Sequence, residues 1–257
     1  MAQTIGLTKA QPPRTGRVAV IRVATVVILL VVWEMIARSG LLYEDVVPTL
    51  FAIAGGIVQT LADPAFWQHL QYTAMELTIS LCLGGGLGIL AGIVIGTNPL
   101  IGRAFEPLLY YLGPTPKIIF FPLLIMWFGI GQASKAAMGT ISAFFPVALS
   151  VAAGLREIDP VLIKVGRSFR ASPLQMTLKI YFPAMREPLV NGLRLAFGVS
   201  VIGVLLAETK FARHGLGFMV TQFYQQFDMP ALYGLVVIIF GFAIAVNWLI
   251  GRFSRAV

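Results

Sequence analysis

Apolar runs of about twenty residues alternate with shorter polar connections along almost the whole chain. A bilayer core about 30 Å thick is crossed by about 20 residues of α-helix. On that yardstick the pattern predicts spans over residues 18–38, 70–96, 104–129, 134–154, 188–208 and 231–251. About six transmembrane helices make this an all-α integral membrane protein, with a single membrane domain over residues 18–257 behind a polar tail, residues 1–17. Pro107, Pro114, Pro116 and Pro122 interrupt the third run. Broken helix survives at membrane depth only where protein or water satisfies the freed carbonyls, so this run belongs inside the bundle. In the second run Gly84, Gly88, Gly92 and Gly96 recur every fourth residue, a spacing that predicts a face for close helix packing.

The polar connections carry their own signals. After the first run, Pro48 and Thr49 open a short helix that ends before a turn at Asp63 and Pro64. Arg156 to Pro188 is the long polar segment after the N-terminal third. Asp159 followed by Pro160 reads as an N-cap with a first-turn proline. From there Leu162, Val165, Gly166 and Phe169 recur at helical spacing, with Lys164, Arg167 and Arg170 largely off the stripe. This amphipathic helix is expected to end near Ser172. Ser172 and Pro173 repeat the start signal for a second short helix, which Pro183 is expected to stop. Two readings fit the physics equally: a basic helix resting on anionic lipid, or a docking helix for a partner.

With 58% hydrophobic and 12% charged residues, the composition excludes an ordinary soluble domain. The net charge of +8 reflects loops held on one side of the membrane rather than nucleic-acid binding. Lys9, Arg14, Arg17, Arg22, Arg103, Lys117, Arg156, Lys164, Arg167, Arg170, Lys179, Arg186, Arg252 and Arg255 fall on one side of the predicted topology. Arg38, Lys135, Lys210 and Arg213 fall opposite. The positive-inside rule makes the first side cytoplasmic, together with both termini, and makes residues 44–69 an outside segment. No small-residue cleavage site follows the tail, so the first helix is expected to be retained.

Candidate chemistry is sparse. Cys82 stands alone, and His69 and His214 are far apart in sequence, so neither a disulfide framework nor a metal-ligand spacing is present. Gly84–Gly88 follows no strand, and Gly129–Lys135 lacks P-loop spacing, which leaves any ATP chemistry to another chain. His214 with Asp228 makes an implausible triad beside the turn at Gly215–Gly217. Glu34, Glu76, Arg194 and Glu208 lie within or at the ends of apolar runs, where ionised groups are costly and face protein or water. Arg194 and Glu208 are separated by ~21 Å along one helix and need separate partners. Trp33, Trp67 and Trp248 fall near predicted interfaces, as belt residues do.

Lys164, Val165 and Gly166, followed by Arg170, Ile180, Phe182 and Pro183, have the spacing of Glu-Ala-Ala, three residues, Gly, nine residues, Ile-x-Leu-Pro. The segment over residues 155–187 therefore resembles the cytoplasmic EAA loop of permease subunits of ABC-type importers, with Lys164 in place of Glu and Arg170 in place of Gly. Pro116, Pro122, Leu123, Ile125, Trp127, Phe128, Gly129, Ile130, Gly131, Ser134 and Lys135, with Ala207, Glu208, Gly215, Leu216 and Gly217, resemble the nitrate, sulfonate, taurine and bicarbonate branch. The resemblance covers nearly the whole chain and implies a type I importer permease, not an enzyme, in the cell inner membrane. It implies a homodimer with two ATPase subunits, which bind the ATP and Mg, and an external solute-binding protein. It casts Asp159, Leu162, Lys164, Val165, Gly166, Arg167, Phe169, Arg170, Ala171 and Ser172 as the coupling helix that meets the ATPase. Glu76, Trp127, Arg194 and Glu208 become candidates for the translocation path or its gate. Nitrate, taurine, aliphatic sulfonates, bicarbonate or a thiamine-precursor pyrimidine remain possible substrates; Glu76 stands where the branch usually has Arg, which weakens the case for an anion. A stand-alone secondary transporter or channel is the alternative, though the halves show no inverted repeat.

Overall fold

The computed structural model describes residues 15–40 and 46–255. Most of the expected polar tail lies outside those residues. Every described regular element is helical: α1 (Thr15–Arg38), α2 (Leu50–Ala62), α3 (Pro64–Ser80), α4 (Gly86–Thr97), α5 (Pro99–Leu112), α6 (Phe121–Phe128), α7 (Gln132–Arg156), α8 (Pro160–Ser168), α9 (Pro173–Met176), α10 (Phe182–Ala184), α11 (Arg186–Phe211), α12 (Leu216–Gln226) and α13 (Met229–Arg255). Five of the helical stretches are long and apolar enough to cross a bilayer, and a sixth if the bent pair of α5 with Lys117–Phe128 counts as one span.

The bundle is organised around α7, which packs against α4 on one side and α11 on the other. Small residues make both approaches possible. A Cβ on Gly88 would sit 2.8 Å from the Val147 Cβ, one on Gly92 2.6 Å from the Val151 Cβ, and one on Gly96 2.9 Å from the Leu155 Cβ. Gly84 meets Thr140 and Ala143 in the same way. On the other side Gly192 lies against Ser150 and Gly203 against Ser142. Backbones this close bring hydroxyls within reach of facing carbonyls: Ser200 Oγ donates to the Gly139 carbonyl at 3.0 Å, and Ser80 Oγ to that of Ala136 at 3.0 Å. Ala143, Val147, Val151 and Leu155 form the core stripe, closed by Met185, Leu189 and Ala196. In lipid, where burying apolar surface supplies no drive, van der Waals contact and these hydrogen bonds hold the helices together.

The second span runs from Pro64 to Thr97 with one wide π-type turn at Leu81–Gly85. It begins six residues before the apolar pattern does, because the Asp63 side chain accepts from Ala65 N at 2.9 Å and Pro64 fills the first turn. Thr49 caps α2, which lies against α13 through Gly56 and Gly234. Helix α1 is a peripheral span, tied on by Trp33 Nε1 donating to the Pro48 carbonyl at 3.1 Å and by Leu50 N donating to Glu34 at 2.9 Å.

The third run departs from a straight span over 104–129: it starts at Pro99 and bends by 92° between α5 and Lys117–Phe128. Pro114 and Pro116 have no amide hydrogens to offer, and Lys117 Nζ donates to the Gly113 and Thr115 carbonyls just beyond α5. The same ammonium lies 5.0 Å from the Phe145 ring centre. Phe145 is halfway along α7, ~20 Å from its start. Lys117 is thus level with the middle of α7, whereas it was expected on the cytoplasmic side.

Beyond α7, α8 ends at Ser168 rather than near Ser172. Arg170 takes a left-handed conformation (φ 51°), and Ala171 N reaches back to the Gly166 carbonyl at 3.0 Å, a turn that stops the helix. Ser172 and Gln175 form a reciprocal capping box that starts α9. Pro183 does not stop this stretch. A π-type turn at Thr177–Tyr181 opens the hydrogen-bond ladder just ahead of it, so the ring is accommodated and helix continues through α10 towards α11.

Candidate functional site

The two ends of α7 carry different chemistry, separated by ~37 Å for a helix of 25 residues. At its C-terminal end lies α8. Asp159 caps it by accepting from Val161 N at 2.8 Å. Its inner side is set by Gly166, which is buried where a Cβ would overlap Met176 and Ile180, and by Ile163 against the α7–α11 core. Leu162, Val165 and Phe169, read as one stripe with Gly166, point outward together with Val161, Phe169 being 83% exposed, and Gly166 alone of that stripe faces the bundle. Lys164, Arg167 and Arg170 are exposed beside them. The helix therefore has a clamped inner edge and an outward surface that mixes apolar and basic side chains. Ala171 is half-buried and Ser172 exposed at the following turn.

At the N-terminal end of α7 a buried polar cluster joins α3, α7, α11 and the turn into α12. Glu208 is 1% exposed. One of its oxygens accepts from Thr73 Oγ1 at 2.6 Å and the other from Gly217 N at 2.6 Å. Thr73 Oγ1 in turn accepts from Leu216 N at 2.8 Å, and His69 Nδ1 accepts from Gly215 N at 3.0 Å. Backbone amides of the 215–217 turn are thus all held by side chains of α3 and α11. Glycine is required in that turn: Gly215 has φ +108°, and a Cβ on either Gly215 or Gly217 would run into Glu208.

One turn along α3 from Thr73 is Glu76, 1% exposed, its Oε1 4.0 Å from Lys135 Nζ. Lys135, 5% exposed, donates to the Gly131 carbonyl at 3.3 Å. Lys135 is thus a buried counter-charge beside Glu76 rather than a solvated one, and Glu76 left uncompensated would be costly at this depth. Glu76 Oε2 has no hydrogen-bond partner among the described residues. A cavity of about 420 Å³ opens beside this cluster, lined by Tyr72, Glu76, Gln132, Lys135, Arg213 and His214 among others. The His214 ring stacks on Tyr72 with centres 4.6 Å apart, and His69 lies 5.9 Å away.

Of the residues expected along a path or gate, the structure brings Glu76 and Glu208 together. Arg194 is elsewhere on α11, donating from Nε to Asn247 Oδ1 at 2.7 Å on α13. Trp127 is exposed on α6. Thr73, Tyr72, Arg213 and the buried state of Lys135 escaped the sequence reading. The available signal was the series His69, Tyr72, Thr73 and Glu76, spaced by three and four residues along one face of the helix. Among the described residues no three His, Cys, Asp or Glu side chains gather as a metal site requires.

The helical membrane bundle has the fold of a type I ABC importer permease. A chain of the MetNI methionine ABC transporter, solved in inward-facing conformations, superposes with a TM-score of 0.60 at 22% identity, covering 80% of this chain and 96% of that one. The sequence matches the family described as binding-protein-dependent transport system inner membrane component over residues 84–257, and the chain belongs to that family. Relatives include a probable ABC transporter permease protein of Haemophilus influenzae, 28% identical over 90% of this chain and 95% of its own length. The taurine transport system permease protein TauC of Escherichia coli is 31% identical over 80% of this chain and 76% of its own length. The chain is thus a membrane-embedded permease subunit of an ABC importer, a transport component and not an enzyme. Its family works with ATPase and solute-binding partners, which displaces the reading as a stand-alone secondary transporter.

Proposed function

We propose that two copies of this chain form the membrane pore, with an ATPase subunit under each α8 and a solute-binding protein on the opposite face. Both termini and the α8 end then lie in the cytoplasm, as the basic residues around Arg156–Arg186 favour. The observation that carries the coupling role is the outward surface of α8. Phe169, Leu162 and Val165 present apolar area next to Lys164, Arg167 and Arg170, while Gly166 and Ile163 fix the helix to the bundle. An apolar knob ringed by cations suits a groove in a partner better than lipid alone.

ATP and Mg bind in the partner ATPases. Their closure moves α8, and because α8 is packed on the α7–α11 core, that motion reorients the bundle between inward-open and outward-open states. The cargo is a small polar solute of the kind named for the relatives: taurine, an aliphatic sulfonate, nitrate, bicarbonate or formylaminopyrimidine.

The test is co-purification with its partner ATPase. Phe169→Ser is expected to reduce complex recovery and ATP hydrolysis at least tenfold while the permease alone keeps its melting temperature. Unchanged recovery and hydrolysis would remove α8 from the coupling role.

A further inference from the structure

The three amides of the 215–217 turn donate to three different kinds of acceptor. The Thr73 hydroxyl, which takes Leu216 N, and the Glu208 carboxyl, which takes Gly217 N, can accept in acid as well as in neutral solution. His69 is the exception. A neutral imidazole has one acceptor nitrogen and an imidazolium has none. Because Nδ1 accepts from Gly215 N at 3.0 Å, the ring is neutral and carries its hydrogen on Nε2. An added proton can go only to Nδ1, where it would meet the Gly215 N–H donor to donor. Gly215 is buried, so its amide is then left without a partner unless the turn moves.

The ring is half-buried, near the Asp63 cap of α3, and so within reach of water. Imidazole is also the side chain whose ordinary charge change falls between pH 5 and 8. The groups facing it are of both signs. Asp63 on its own helix favours a charge there, and His214 across the turn, with ring centres 5.9 Å apart, opposes one when itself charged. Arg213 is exposed next to His214, whose ring stacks on Tyr72, and α12 contributes the uncharged Phe218 ring at 5.6 Å. Glu208 on α11 is reached only through Thr73, and Lys135 of α7 lies beside Glu76.

We infer that the His69–Gly215 bond is an acid-sensitive clasp: protonation of the ring frees the Gly215 amide and loosens the joint between α3 and the turn into α12, so that external acidity weakens the transporter's response to its binding protein. The regulatory half rests on the importer reading, which puts this end outside; the clasp itself does not.

The experiment measures amide hydrogen exchange over residues 213–219 of the permease–ATPase complex in lipid nanodiscs at pH 7.5 and pH 5.0, corrected for the intrinsic pH dependence of exchange. The unaltered chain is expected to lose about tenfold in protection at pH 5.0. His69→Asn, whose side-chain oxygen accepts without titrating, is expected to show no such loss, and His214→Asn to behave as the unaltered chain. His69→Gln stands in if His69→Asn does not fold. Equal protection at both pH values in the unaltered chain, the same loss in His69→Asn, or a loss abolished by His214→Asn would each overturn the clasp. Binding-protein-stimulated ATP hydrolysis on the same complexes is expected to fall at pH 5.0 at least threefold further in the unaltered chain than in His69→Asn; an equal fall in both would overturn the regulatory step. Stimulation with unchanged protection sinks the clasp and leaves the importer reading standing, whereas lost protection with no stimulation at either pH sinks that reading and keeps the clasp.

Discussion

Arg170 shows how much a single backbone angle decides in this chain. Its φ of 51° lies in the left-handed region, which costs a side-chain-bearing residue roughly 1–2 kcal/mol and glycine almost nothing. The EAA pattern has glycine at this place, and the turn that ends α8 explains why. Arg170→Gly is therefore expected to stabilise the protein by about 1 kcal/mol, read as a higher melting temperature in detergent. Thr73 makes the opposite case. Its hydroxyl donates to Glu208 and accepts from Leu216 N, so Thr73→Val removes two bonds at once from a buried site. The expected cost is about 1–3 kcal/mol in thermal or denaturant unfolding. A melting curve that matches the unaltered protein would show that the cluster does not hold the 215–217 turn.

At the scale of elements, the packing of α4 on α7 rests on glycines spaced by four, and larger side chains there force the helices apart. Gly92→Leu is expected to lower stability by at least the ~1–3 kcal/mol typical of overpacking, with poor recovery of folded protein, whereas Gly86→Ala, with open space at its Cβ, is expected to be neutral. These helices were legible in the sequence because membrane thickness and glycine spacing are local, one-dimensional signals. The helix starts at Thr49, Asp159 and Ser172 were legible for the same reason, whereas Asp63, read as a turn, caps α3. The 92° bend was not, because prolines announce a break without giving its angle, and the angle depends on where Lys117 finds carbonyls. The polar cluster was hidden more deeply. Glu76 and Glu208 stood out as costly charges, but that they share one site with Lys135 and the 215–217 turn follows from α3, α7 and α11 meeting, which no local pattern records. That Gly166 faces the bundle while Leu162, Val165 and Phe169 face outward was not legible, because both edges of α8 are apolar and periodicity cannot say which edge faces the bundle.

Across the whole molecule, α7 is the strut between the two functional ends. It packs on α4 and α11 along its length, is flanked by the polar cluster at its start, and leads directly into α8 at its finish. In the proposed coupling, a displacement imposed at α8 would pass through the tightly packed pair α7 and α11 to the Glu208 and Lys135 end. The most direct measurement is ATP hydrolysis by the reconstituted permease–ATPase complex, with and without solute-loaded binding protein, for the unaltered chain and for Phe169→Ser. Hydrolysis that rises severalfold with loaded binding protein in the unaltered complex, and loses that rise in Phe169→Ser, is the predicted result. An equal rise in both would contradict the claim that α8 joins the bundle to its motor.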